Sequence, residues 1–332
     1  MPNDAGLFRG THQWNGTTYY GREQLKAAPF NNWLVGGYIF LAGLSGGAAV
    51  ISTVLDFTRG RAAGQTVRRG RLLSLLGPTV GTLGLIGDLH TPKRFYNMLR
   101  LFKLTSPMSI GSWVLVAFAK FSVLTVAADL LGRFPGLRWL RALGRIARVP
   151  LALSGAGVGT YTASLLSATS TPLWAAAPCA TAVRFACSSV AAGTAAMALG
   201  EKRTGIGRDL DKIALAALVL ELAATVAADE TYRRTGVAPA QETLPGRIDE
   251  TGATVLGTVL PIGLLALSLA GPGRSRVLSG VAALLALAGS ATMRISFLAA
   301  GDESARRPDI SMRFAQPDNL KRVPSWQIQH RF

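Results

Sequence analysis

The grouping of apolar residues into long unbroken blocks most limits what this chain can fold into. A bilayer span needs about 20 consecutive, mostly apolar residues at a rise of 1.5 Å each, and several blocks meet that length. The sequence places spans at about 33–56, 71–88, 110–131, 149–168, 173–199, 210–229, 252–270 and 277–299. No block alternates apolar and polar residues, which disfavours a membrane barrel. The expectation is an all-α integral membrane protein with eight transmembrane helices. Only 16% of residues are charged, against about a quarter in soluble proteins.

The net charge of +17 would suggest nucleic acid on a soluble chain. Here the arginines lie between the apolar blocks, so they read as topology signals beside membrane lipid, with no nucleic-acid partner. Sixteen Lys and Arg fall in the loops after spans one, three, five and seven (59–71, 133–148, 202–212, 274–276), against seven in the short loops on the other face. The denser face is expected in the cytoplasm, with both termini extracytoplasmic in a bacterial or archaeal cell membrane. The first 28 residues are polar and show no core of a cleavable leader.

Cys179 and Cys187 are too few for an iron–sulfur cluster, which takes four ligands. They read as two small buried thiols. His12, His90 and His330 lie in tails or at a span end, which argues against a haem held between helices. No metal site is expected.

Ionisable residues inside spans are costly and are functional candidates by default. Asp88, Lys120, Arg184, Glu221, Asp229 and Arg294 stand out. The pairs expected are Asp88 with Lys120, and Glu221 with Arg184 or Arg294. Structural ion pairing competes with proton handling for each. Tyr38 and Tyr161 lie towards the outer ends of spans one and four, where a phenol either anchors at the interface or donates a hydrogen bond to a carbonyl. Within the segment 88–109, the stretch Phe95-Tyr96-Asn97-Met98-Leu99-Arg100 is aromatic and basic, and is expected to form a short amphipathic interfacial helix that anchors in headgroups or docks a partner. Glycine and serine at 43–47 and 154–159 let helices approach closely.

The run Asp88-Leu89-His90-Thr91-Pro92-Lys93-Arg94-Phe95-Tyr96-Asn97-Met98-Leu99-Arg100, continuing through Lys103 to Ser106-Pro107-Met108-Ser109-Ile110-Gly111-Ser112-Trp113, resembles the signature of the NrfD / polysulfide reductase membrane subunit family. That signature has the form DLGRPxRFxNMLRxFKxxSPMSxGSW. Shorter matches are Thr18-Tyr19-Tyr20 with Tyr38 and Gly43-Leu44-Ser45-Gly46-Gly47, Tyr161-Thr162-Ala163-Ser164-Leu165-Leu166 with Pro172-Leu173-Trp174, and Arg294 with Ala299-Ala300-Gly301. The resemblance covers about residues 17–301.

The resemblance implies two four-helix bundles: 33–168 with a quinone site, and 173–299, flanked by extramembrane segments 1–32 and 300–332. It implies quinone exchange (menaquinone or ubiquinone) in the first bundle, near the face where an iron–sulfur ferredoxin-like subunit docks and serves a molybdopterin (Mo/W) catalytic subunit. No haem or cluster is implied in this chain. Tyr161 matches the family's quinone-contacting tyrosine. Val35 and Tyr38 hold places where better-studied members carry Asn and His, and of these two Tyr38 keeps a donor. Asp88 matches the aspartate implied in proton exchange with the quinone, with His90 in the usual glycine's place. Glu221 and Arg294 are candidates for a separate proton route. Lys93, Arg94, Phe95, Arg100 and Lys103 are the docking candidates. The rival reading is a secondary transporter or proton-translocating protein without quinone chemistry. It predicts paired Gly/Pro breaks in inverted repeats, and although Pro178 and Pro261 interrupt spans, no such symmetry is visible.

Overall fold

In the computed structural model, residues 25–88, 92–100 and 102–315 are described, and among them every regular element is helical. α1 (Asn32–Arg59) is opened by the Asn31 side chain, which accepts from the backbone N–H of Trp33 at 2.9 Å and Leu34 at 3.3 Å. This satisfies two of the donors that a helix start leaves bare. α1 stops at Gly60, whose φ of +50° suits a residue without Cβ.

The chain then turns back. α2 (Gly64–Leu73), a π-helical turn (Gly77–Gly81) and α3 (Thr82–Asp88) run antiparallel along α1. Gly70 faces Ser52, the Gly77 N–H donates to Ser45 Oγ at 2.7 Å, and Gly81 lies against the Tyr38 ring. The expected span 71–88 is therefore three helical pieces. The break follows from Gly77-Pro78, because Pro78 has no N–H for the ladder. A 3₁₀ helix (Pro92–Leu99) covers most of the place expected for the short amphipathic helix. Its shortness and proline start suit the tighter turn.

α4 (Pro107–Leu131) and α5 (Trp139–Ser167) pair, and α5 begins ten residues before the expected 149 because Pro150 is accommodated inside it. α6 (Pro172–Ala176) and α7 (Pro178–Leu199) replace one expected span, with the break at Ala177-Pro178. α8 (Thr204–Thr235) has 32 residues and ends at Gly236 with φ +74°. α9 (Leu244–Ile248), a π-helical stretch (Asp249–Val259) and α10 (Leu260–Ala270) form one continuous rod. α11 (Arg276–Arg306) and α12 (Pro308–Phe314) close the described residues.

Among the described residues, six helical segments are long and apolar enough to cross a membrane: 32–84, 107–131, 135–167, 178–199, 244–270 and 276–306. The first includes the return along α1. α8 is long enough but carries Glu221, Asp229 and Glu230 in or beside its apolar stretch.

Helix contacts run through small residues, as expected where lipid removes the hydrophobic drive between helices. Gly46 of α1 meets Gly155 of α5 backbone to backbone, and Gly47 and Ala48 meet Ser189 and Gly193 of α7. The buried core between α1, α5, α7 and α11 holds Phe118, Leu151, Trp174, Phe185 and Phe297. The Trp174 indole N–H donates to the Phe297 carbonyl at 3.0 Å. The cysteines depart from expectation: Cys179 is exposed and Cys187 only partly covered.

Candidate functional site

Tyr38 of α1 and Tyr161 of α5, 123 positions apart, have their hydroxyls 2.6 Å apart. Tyr38 is 4% exposed and Tyr161 partly buried. Two glycines make the space. Gly81 lies against the Tyr38 ring, and a Cβ on Gly111 of α4 would sit 2.5 Å from ring carbons of Tyr161. Four helical passes thus meet at the phenol pair. In such a pair one hydroxyl donates to the other, so one O–H is left to donate elsewhere.

These contacts fix relative depth. Gly81, Gly111 and both tyrosines are level, so Asp88 lies seven residues to one side of that level and Lys120 nine residues to the other. At 1.5 Å per residue they are about 24 Å apart along the helices, too far for the expected Asp88–Lys120 pair. Asp88 closes α3, and its side chain lies outside the described residues, as do the Phe95 side chain and all of His90. Lys93, Arg94, Arg100 and Lys103 are exposed around the 3₁₀ helix, beyond the tyrosine end of the molecule.

A second polar cluster lies between α7, α8, the π-helical stretch and α11. Arg294 is 1% exposed. Its Nη1 donates to Ser188 Oγ (3.1 Å), the Ser290 carbonyl (2.9 Å) and Ser290 Oγ (2.6 Å), and its Nη2 donates to Ser189 Oγ (2.9 Å). Gly43 of α1 makes room for this guanidinium, since a Cβ there would sit 2.6 Å from Nη2. Glu221, 5% exposed, faces both Arg184 and Arg294 and meets the Ser188 hydroxyl. Arg184 instead forms a two-pronged ion pair with Asp249, at 2.8 and 3.0 Å, and Ser296 Oγ adds a bond to Asp249 at 3.0 Å.

Glu221 thus lies between two arginines rather than pairing with one of them. Asp249 is the residue that sequence reasoning missed, because it fell in a presumed loop. No charge imbalance pointed to it, since the six ionisable residues inside the expected spans were three acids and three bases. Asp229 accepts from Gln241 Nε2 at 2.5 Å near the C-terminal end of α8.

Residues 27–303 match the family described as Polysulphide reductase, NrfD. The protein belongs to the NrfD family. It is similar to the C subunit of polysulfide reductase from Wolinella succinogenes, with 30% identity over 154 residues, which is 41% of this protein and 47% of that one. The match spans about half the length of that relative. With its apolar helices, this NrfD protein is a multi-pass membrane protein.

Proposed function

We propose that this NrfD protein is the quinone- or quinol-reactive membrane anchor of a multisubunit respiratory oxidoreductase. The observation that carries this is the Tyr38–Tyr161 pair, where two phenols from distant helices converge in an apolar wall and leave one O–H to donate. A quinone carbonyl needs such a donor, so the residues fit the group. Tyr38 and Tyr161 would hold one carbonyl, and the packing of Gly81 and Gly111 against their rings would keep water out. When bound, a quinone supplies two-electron, two-proton redox chemistry. Asp88, on the same face, is the proposed proton carrier.

Eight crossings account for the helices. The antiparallel return of Gly64–Asp88 along α1 supplies one beyond the six apolar segments, and α8, whose Glu221 is buried, supplies another. Residues 33–168 and 173–299 then form two bundles joined where α1 meets α7. Basic loops put the Tyr38 end outside the cell membrane. The exposed Lys93, Arg94, Arg100 and Lys103 there suit an acidic docking face on an iron–sulfur subunit, itself serving a molybdopterin subunit. The cluster Glu221–Ser188–Arg294 and Arg184–Asp249 is the proposed separate proton route.

Quinone extracted from the purified complex tests the site. Co-purifying quinone should fall in Tyr161→Phe and in Gly111→Ala, whose methyl displaces the Tyr161 ring. Unchanged quinone in both variants would overturn the assignment.

A further inference from the structure

Lys120 lies near the middle of α4. The helix is about 37 Å long at 1.5 Å per residue, with Lys120 13 residues from Pro107 and 11 from Leu131. A four-carbon stem cannot carry the ammonium to either headgroup layer from there. Trp113, Val116, Lys120 and Val123 follow helical spacing, and all four are exposed on one stripe. α4 is also the least covered of the six apolar segments.

No described carboxylate meets Lys120. Asp129 is held by Arg71 at 2.8 Å, and Asp56 is shared by Arg71 and Arg148 at 2.8 and 3.0 Å. Glu221 is enclosed between α7 and α11. A charge left unpaired at this depth in hydrocarbon is costly. From these observations we infer that the outward stripe of α4 docks a helix of a second, different membrane-spanning polypeptide, which presents an Asp or Glu to Lys120 at mid-depth. A second copy of this protein does not fit. Among the described residues the exposed acids are Glu230, Glu242 and Glu250, all at the outer end, and a twofold axis along the membrane normal keeps depths equal.

The test uses the full-length protein in its own membranes. A benzophenone side chain replaces Val123, 57% exposed on the stripe, or Leu284, 59% exposed on α11 as control. Irradiation should join the Val123 position to a membrane-spanning polypeptide within one helical turn of an Asp or Glu, and the Leu284 position should give no such product. Lys120→Leu should lower co-purification of that polypeptide at least tenfold, normalised to membrane-inserted protein, while Lys120→Arg retains it. Removing a charge from an apolar helix does not hinder insertion, so the loss is not one of folding. Lys120→Asp should fail alone and recover when the partner's acid becomes Lys. Lipid adducts only, a self-linked dimer, a captured segment without an acid at that depth, or unchanged co-purification in Lys120→Leu would each overturn the inference.

Discussion

Arg184 and Arg294 set the terms at the residue scale, because a guanidinium inside a membrane bundle must be surrounded by acceptors. Arg294 is served by three serines and a carbonyl, with Glu221 facing it. Arg184 depends on Asp249. Asp249→Asn should therefore lower stability by about 3–5 kcal/mol, since removing one partner leaves a buried charge uncompensated. Arg184→Met combined with Asp249→Leu should recover most of that loss. Thermal unfolding of the detergent-solubilised protein reads both, and equal destabilisation of the single and double variants would refute the pairing. Of this site, the sequence displayed Arg184, Glu221 and Arg294, since charges inside apolar blocks are conspicuous. It hid Asp249, because a carboxylate beside Glu250 at a block's edge looks like loop. It could not show that Glu221 faces two arginines, because that depends on the rotation of α7 and α11 about their axes.

At the scale of elements, apolar blocks located the helices but not their ends or their internal breaks. α5 and α8 extend past their apolar cores into charged residues, which hydropathy reads as loop. The π-helical stretches at 77–81 and 249–259 were not legible as such: Gly77-Pro78 marks a break without saying what winding replaces the α-helical ladder, and 249–259 straddles the edge of an apolar block.

The loops carry a latch of their own. Thr66 donates to Glu201, Arg69 to the Gly200 carbonyl and Arg203 to the Ala62 carbonyl, tying the α1–α2 turn to the α7–α8 turn. Burial pushes the Glu201 carboxyl up. The Thr66 hydroxyl, the Arg203 N–H and the arginines outweigh it and hold the group below the ordinary carboxylate range. A depressed carboxylate contributes stability above its unfolded value of about 4.5, and that contribution is lost as pH falls through the lower folded value. Acid titration of thermal stability should thus show a smaller loss below about pH 4.5 in Glu201→Gln than in the unmodified protein. Parallel curves would dissociate Glu201 from acid sensitivity.

For the whole molecule, Gly46 brings α1 against α5 and Gly47 brings it against α7. This seam puts the phenol pair on one side of α1 and the Arg294 cluster on the other, with Gly43 admitting the guanidinium. The glycine-rich run at 43–47 was legible as close packing, though not as the wall between two polar sites. The shared depth of Tyr38 and Tyr161 was likewise legible from their positions near one face, and their direct hydrogen bond was not. The same depth scale separates Asp88 from Lys120, and that lysine is exposed on α4.

The central claim is that the Tyr38–Tyr161 pair engages the quinone. Quinol-linked electron transfer by the purified complex measures it most directly, with the catalytic subunit's activity towards an artificial redox dye as the internal standard. Tyr161→Phe should lower quinol-linked turnover about tenfold, the rate equivalent of one lost hydrogen bond of about 1–1.5 kcal/mol, and leave dye-linked activity unchanged. Quinol-linked turnover that survives Tyr161→Phe and Tyr38→Phe unaltered would contradict the claim.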